Sequence, residues 1–292
     1  MNKSARVSLA WLAMTVAVIS SVLPVSGCRR SRIVTLRGSA TMAPLAWKWA
    51  REYMGTHPGV TIRVESTDSD SGISILSSGG TDIGMSSRPL LAKEVDAFKS
   101  RHGYEPKVVA VALDAVAVFV NMKNPIDRVT MDILRDIYTG KITDWKKADS
   151  QKGPLITCGY ARGSGTREWF REEVLGRMNF SPQVGEYPGA DGVVSAVVSD
   201  SRAIGYGSSA LLKGVRILRV ARKPFERGFE PSELAMSSGK YPLARKLYFC
   251  FSVEPSGDAA VFLSWVLSPE GQRMCRDAGY YPIRPVRHES GE

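Results

Sequence analysis

The sequence predicts an α/β protein of two lobes, one of them discontinuous along the chain. Two observations carry this expectation. Segments rich in β-branched residues alternate with polar loops and helical apolar periodicity, the pattern of a sheet whose loops gather at the strand ends. Two other segments, VVAVALDAVAVFV at 108–120 and LYFCFSV at 247–253, are too apolar for a surface element and read as buried strands that cross between lobes. A first crossing and a return crossing leave one inserted lobe. The expected division is 28–112 for the first part of lobe 1, 113–246 for lobe 2, and 247–292 for the return segment of lobe 1. The length of 292 residues suits one large or two medium domains, and 43% hydrophobic with 23% charged residues is an ordinary globular composition that excludes wholesale disorder.

The elements follow in chain order. Lys3 and Arg6 precede an almost uncharged stretch at 7–27, the layout of a secretory signal, although the same stretch is long enough for an uncleaved membrane helix. Val25-Ser26-Gly27-Cys28 resembles a bacterial lipobox. That resemblance implies a lipoprotein signal peptide at 1–27, lipidation of Cys28, and an exported, membrane-anchored protein in the periplasm or at the cell surface.

Residues 32–36 (RIVTL) read as a strand. Met42, Leu45, Trp49 and Tyr53 fall at steps of three, four and four, one face of a helix that tolerates Pro44 in its first turn. A strand at 60–65 leads through a polar loop into Ile73, Ile75 and Leu76. Thr130 caps a helix carrying Ile133, Leu134, Ile137 and Tyr138 on one face, with Gly140 at its end. A short strand at 154–159, a turn, a helix at 167–175 and a strand at 203–207 complete the inserted lobe. Helices at 261–267 and from Ser268-Pro269-Glu270 to Gly279 close the chain.

The net charge of +10 admits a polyanion, a negative surface or a small anionic ligand as partner. Basic residues are scattered with only short runs at 28–32 and 221–223, which argues against nucleic acid. Loss of Lys3 and Arg6 with the signal leaves +8. Cys158, Cys250 and Cys275 read as ordinary buried thiols; an exported setting permits one disulfide among them. His57, His102 and His288 lie far apart and no CxxC occurs, so neither a metal nor a cofactor is expected.

Three clusters place hydroxyls and glycines just ahead of a helix: Gly38-Ser39-Ala40-Thr41, Ser69-Asp70-Ser71-Gly72 and Gly163-Ser164-Gly165-Thr166. Helix starts expose unpaired amides and the positive dipole end, glycine allows close approach, and hydroxyls add donors, a combination that suits a tetrahedral oxyanion. Each cluster alone also reads as an ordinary N-cap. A fourth segment, TDIGMSSRPL at 81–90, places Asp82 at a strand start and Arg88 six residues later; a turn cap and a surface ion pair are the alternative there.

These clusters, together with Trp47-Lys48-Trp49-Ala50, Tyr138-Thr139-Gly140-Lys141-Ile142-Thr143-Asp144-Trp145, Ala203-Ile204-Gly205-Tyr206 and Tyr241-Pro242-Leu243, resemble the PstS-type periplasmic phosphate-binding proteins, the substrate-binding components of phosphate ABC importers. The resemblance covers nearly all of the chain after the signal. It implies a two-lobed type II periplasmic binding protein fold with a ligand cleft between the lobes. It also implies a monomer that is no enzyme, with inorganic phosphate and ABC permease subunits as partners. The ligand set it implies is Ser39 or Thr41, Ser71, Asp82, Ser164, Gly165 and Thr166, with Asp82 expected to accept a hydrogen bond from the proton that phosphate carries and sulfate lacks. The family's arginine stands four residues before the serine of the Ser-Gly-Thr turn, and here that position is Tyr160. Arg162 is the first substitute, then Arg167 and Arg88. A site for another oxyanion, or a phosphate sensor, fits the same residues. A secreted serine hydrolase does not, for want of a Gly-x-Ser-x-Gly elbow.

Overall fold

A computed structural model describes residues 32–148 and 153–283. The expected signal segment 1–27, Cys28 and His288 lie outside the described residues. The chain first builds β1 (Arg32–Ser39), α1 (Ala43–Thr56), β2 (Val60–Thr67), α2 (Ser69–Ser77), β3 (Ile83–Ser86) and α3 (Ala92–His102). β1 lies between β2 and β3 and runs parallel to both, so the carboxyl ends of all three strands reach one edge. α1 packs on this sheet through Leu45, Trp49 and Tyr53, buried at the spacing read from the sequence, together with Ala46. The Trp49 indole donates to the Gly271 carbonyl at 2.7 Å, which ties this helix to the end of the chain.

β4 (Lys107–Asn121) carries the chain across. It leads to β5 (Arg128–Thr130), α4 (Met131–Tyr138), α5 (Trp145–Ala148), β6 (Ile156–Tyr160), α6 (Gly165–Glu173), β7 (Gly185–Tyr187), α7 (Gly189–Ser199) and β8 (Ala203–Ser208). β6 runs parallel to both β7 and β8, so a second set of three carboxyl ends shares an edge. A short 3-10 turn (Ser209–Leu211), β9 (Val215–Ile217), β10 (Arg219–Ala221) and α8 (Glu233–Ser237) precede the return strand β11 (Ala244–Phe251), and α9 (Gly257–Val266) and α10 (Pro269–Asp277) finish the fold.

One nine-stranded sheet runs in the order β2-β1-β3-β11-β4-β8-β6-β7, with β9 also paired to β4, while β5 and β10 form a separate pair. β4 changes partners along its length. Residues 107–115 pair with β11, and Val116–Val120 pair with β8. The hydrophobic core changes at the same place. Val111 and Ala112 belong to a core with Trp49, Tyr53, Phe249 and Phe262, whereas Ala115, Val116 and Val118 belong to another with Tyr138, Trp169, Phe170 and Tyr206. On the return segment the switch falls between Leu243, just before β11, and Leu247 within it. Between the switch points, Asp114 and Arg245 stand opposite each other in the ladder.

Candidate functional site

Ligands of open α/β sheets bind beyond the carboxyl ends of parallel strands. Both parallel sets in this molecule deliver their following loops to one cavity of about 220 Å³. A single water needs roughly 10–15 Å³ of such space, so a five-atom oxyanion fits with room to spare. Ser39 ends β1 and Ala40 and Thr41 follow it, Thr67 ends β2 and Asp68 and Ser69 follow it, and Ser87 follows β3. From the other core come Tyr160 at the end of β6 with Ala161, Arg162, Ser164 and Gly165 after it, Pro188, Gly189 and Ala190 after β7, and Leu211 after β8. The starts of α1, α2, α6 and α7 therefore converge on the cavity, bringing together positive dipole ends and first-turn amides.

The local geometry follows from the sequence. Asp68 caps α2, its Oδ1 accepting from the Ser71 amide at 2.7 Å and its Oδ2 from the Ser71 hydroxyl at 2.9 Å. Ser69 and Ser87 are buried side by side, with the Ser87 amide donating to Ser69 Oγ at 3.2 Å. Ser164 caps α6 by accepting from the Arg167 amide. Gly163 takes a left-handed φ of 87°, which turns the chain sharply into α6. Gly165 follows with no space for a side chain. A Cβ there would collide with Ser69 Oγ and stand 2.6 Å from Ser87 Oγ. The start of α6 thus seats directly on the start of α2.

Of the residues expected from sequence, Ser39, Thr41, Arg162, Ser164 and Gly165 line the cavity. Thr166 is buried just behind it, its hydroxyl 3.1 Å from that of Thr41. Two expectations need correction. Asp82 is exposed at the opposite end of β3, where its Oδ2 accepts from the Thr35 amide and hydroxyl, both at 2.8 Å. A carboxylate at a strand's amino end cannot reach loops that leave the carboxyl ends. Ser71 points its hydroxyl at Asp68 and does not line the cavity. The acid on the wall is Asp68, which the sequence reading passes over in favour of the Ser69-Asp70-Ser71-Gly72 cluster beside it.

The arginines divide clearly. Arg88 is 1% exposed and held by Glu94 and Asp70 at 2.7 and 2.5 Å, pairs that raise its pKa against the opposing effect of burial, the largest single influence. Arg167 donates to the Tyr160 carbonyl, pairs with Glu186 and stacks over Phe180. Arg162 is exposed on the cavity rim, and among the described residues it has no carboxylate partner. Tyr160 is buried at 3%, and burial pushes its phenol upward while Arg245 pulls against it. α7 has a recoverable signal that the sequence reading does not use. Pro188-Gly189 precedes Asp191 in the first turn, and Val193 and Val197 are buried at a spacing of four. Among the described residues no cluster of three His, Cys, Asp or Glu side chains suits a metal ion.

Comparison with known proteins adds independent support. Residues 26–270 match the family described as the PBP superfamily domain. The phosphate-binding protein PstS of Pseudomonas aeruginosa is 34% identical over 263 residues, spanning 84% of this chain and 81% of that protein. PstS of Bacillus subtilis is 26% identical over 261 residues, spanning 89% and 83% respectively. A Clostridium perfringens chain described as a phosphate ABC transporter substrate-binding protein, solved with bound phosphate, superposes with a TM-score of 0.77 at 26% identity, over 87% of this chain and 100% of that one. An ABC-type phosphate transport receptor from Vibrio cholerae shares the fold, with a TM-score of 0.70 at 23% identity over 86% of this chain and 100% of that one.

Proposed function

This chain belongs to the PBP superfamily and, within it, to the PstS-like phosphate-binding proteins of ABC transporters, and from that premise we propose that it captures inorganic phosphate in the cavity where α1, α2, α6 and α7 begin. It is a two-lobed binding protein, not an enzyme, and serves as the extracytoplasmic phosphate-binding component of an ABC importer. The convergence of four helix starts from two separate cores carries this reading, because a doubly charged anion needs many donors and no single loop supplies them.

In this reading Ser39, Thr41, Ser164 and the Gly165 amide surround the anion, with Thr166 behind Thr41 and Arg162 at the rim. Asp68 takes the discriminating part first expected of Asp82. Each of its oxygens already accepts one hydrogen bond from Ser71, and each keeps a lone pair. Phosphate near neutral pH presents an O–H to such an acceptor. Sulfate presents only another negative oxygen. Sites that leave a buried polar group unpaired reject an analogue by as much as roughly 10⁴- to 10⁵-fold. Closure of the lobes, taken as 28–112 with 247–292 around the inserted 113–246, removes water and strengthens every hydrogen bond. We further propose that Cys28 carries the lipid anchor after removal of residues 1–27, and that the loaded protein docks as a monomer on the permease subunits.

The test is calorimetry and thermal unfolding with phosphate. One-to-one binding is expected, with unfolding shifted upward by the equivalent of about 2.7 kcal/mol at a hundredfold excess over Kd, and arsenate competing. Absence of binding, or an equal shift with sulfate, contradicts the reading. For the anchor, Cys28→Ala is expected to release the protein from membranes, and unchanged retention contradicts it.

A further inference from the structure

Behind the cavity wall, at the point where both crossing strands pass from one core to the other, lies an ion pair that the phosphate site as described does not use. Asp114 on β4 and Arg245 on β11 are direct ladder partners, 0% and 3% exposed. Arg245 Nε donates to Asp114 Oδ2 at 2.8 Å, and the Ser208 hydroxyl donates to Oδ1 at 2.6 Å. Arg245 Nη2 stands 2.7 Å from the same Oδ2, close but poorly aligned for a hydrogen bond, so that contact counts as charge attraction. The remaining arm of the fork leaves the pair: Nη1 donates to Thr166 Oγ1 at 3.0 Å.

That last bond occupies one lone pair of Thr166 Oγ1 and favours Thr166 as the donor to Thr41, the hydroxyl that stands within reach of its hydrogen. An arginine has donors only, so Thr166 Oγ1 must accept. Thr166 and Thr41 then hold two hydroxyl hydrogens, and the 3.1 Å bond between their oxygens uses one of them. The other is left for a further acceptor. Thr166 is 1% exposed behind the wall, whereas Thr41 lines the cavity, and the Tyr280 hydroxyl steadies Thr41 by donating to its carbonyl at 2.6 Å. When Thr166 donates to Thr41, the Thr41 hydrogen faces the cavity, and each bond in the chain polarises the next.

The geometry points to Arg245 as a positioning residue for the anion. Acting through Thr166, it holds Thr41 as a donor toward the cavity from β11. Asp114 holds the guanidinium in place. Because both residues stand on the strands joining the two cores, and Thr41 and Thr166 come from opposite sides, the same chain of bonds ties ligand contact to the crossing point. This inference rests on the phosphate reading of the cavity.

The test is a double-mutant cycle on phosphate Kd, using the full chain in detergent micelles. Arg245→Lys keeps a charge for Asp114 but loses the fork, and is expected to weaken phosphate binding about tenfold. Thr41→Val is expected to weaken it by a similar factor, and the double variant by no more than Thr41→Val alone, since both act through one hydroxyl. A merely structural role for Arg245 makes the two losses multiply. If Arg245→Lys does not fold, Asp114→Asn with Arg245→Gln removes both charges together and enters the cycle in its place, with melting temperature measured without ligand as the folding control. Multiplied losses, or wild-type affinity in the Arg245 variants, overturn the inference alone. Failure of the unaltered chain to bind phosphate overturns the reading of the cavity and this inference with it.

Discussion

The two walls of the cavity are built alike and equipped differently. Each consists of loops leaving the carboxyl ends of three parallel strands, with two helices starting at the rim. The wall from β1, β2 and β3 carries the acid Asp68 and five hydroxyl residues, Ser39, Thr41, Thr67, Ser69 and Ser87, while its arginine, Arg88, is paired with Asp70 and Glu94. The wall from β6, β7 and β8 carries no acid among its lining residues. It offers the amides of Gly165 and Gly189, the Ser164 hydroxyl and the exposed Arg162. One wall is suited to telling anions apart and the other to closing on them.

The closing wall breaks most easily at Gly165. An alanine there forces a Cβ into the Ser69 and Ser87 hydroxyls and to 2.8 Å from Ser69 Cβ, so α6 must shift away from α2. Overpacking of this kind costs typically about 1–3 kcal/mol, and the loss falls on the closed state. Gly165→Ala is expected to weaken phosphate binding by about a hundredfold, roughly 2.7 kcal/mol, with a small change in melting temperature without ligand. An unaltered Kd would show that the seating is irrelevant to binding.

Arg162 sharpens the comparison at lower amplitude. It is the arginine on the rim, exposed to solvent and salt, so Arg162→Gln should weaken phosphate binding only about two- to fivefold, in the range of exposed charge contacts. The effect should shrink as salt rises from low to physiological ionic strength. Arg167→Gln, whose side chain is committed to Tyr160 and Glu186, should disturb stability more than affinity.

Asp82 provides the contrast to Asp68. Its bonds to Thr35 lie at the far end of the sheet, so Asp82→Asn is expected to cost about 1 kcal/mol of stability and to change phosphate Kd less than about twofold. A tenfold loss would return it to the site.

The thiols report on the two cores separately. Burial pushes Cys158, in the β6 core, up to about 11 and Cys275, in the core of α1 and α10, up to about 12. At pH 8 both are expected to resist iodoacetamide in the folded protein. If the ligand joins the two walls, phosphate should slow labelling of both in mild urea by similar factors, and protection of one alone would separate them.

Much of this architecture is legible in the sequence because its causes are local. Apolar periodicity marks α1 and α4, and hydroxyl and glycine clusters mark the starts of α1 and α6, which reach the cavity wall as strand-end loops must. Asp82 misleads because its role comes from the family resemblance alone; the parallel pairing of β1 with β2 and β3 decides which end of β3 faces the cavity. Asp68 is passed over because a capping acid and a site acid look the same in one dimension. The Asp114–Arg245 pair leaves a trace, one acid inside an otherwise apolar run at 108–120 and one arginine just before LYFCF, but their opposition across the ladder is a matter of register.

In the proposed function the wall from β1, β2 and β3 recognises phosphate by its proton, through Asp68. The most direct measurement is calorimetric titration of the wild-type protein and Asp68→Asn with phosphate and with sulfate at pH 7. An asparagine still caps α2 but carries an amide in place of one acceptor and no charge to repel sulfate. Tight phosphate binding and no measurable sulfate binding are expected of the wild type, and in Asp68→Asn a phosphate-to-sulfate preference reduced at least about tenfold, or 1.4 kcal/mol, with sulfate binding now detectable. An unchanged preference in Asp68→Asn would contradict that role.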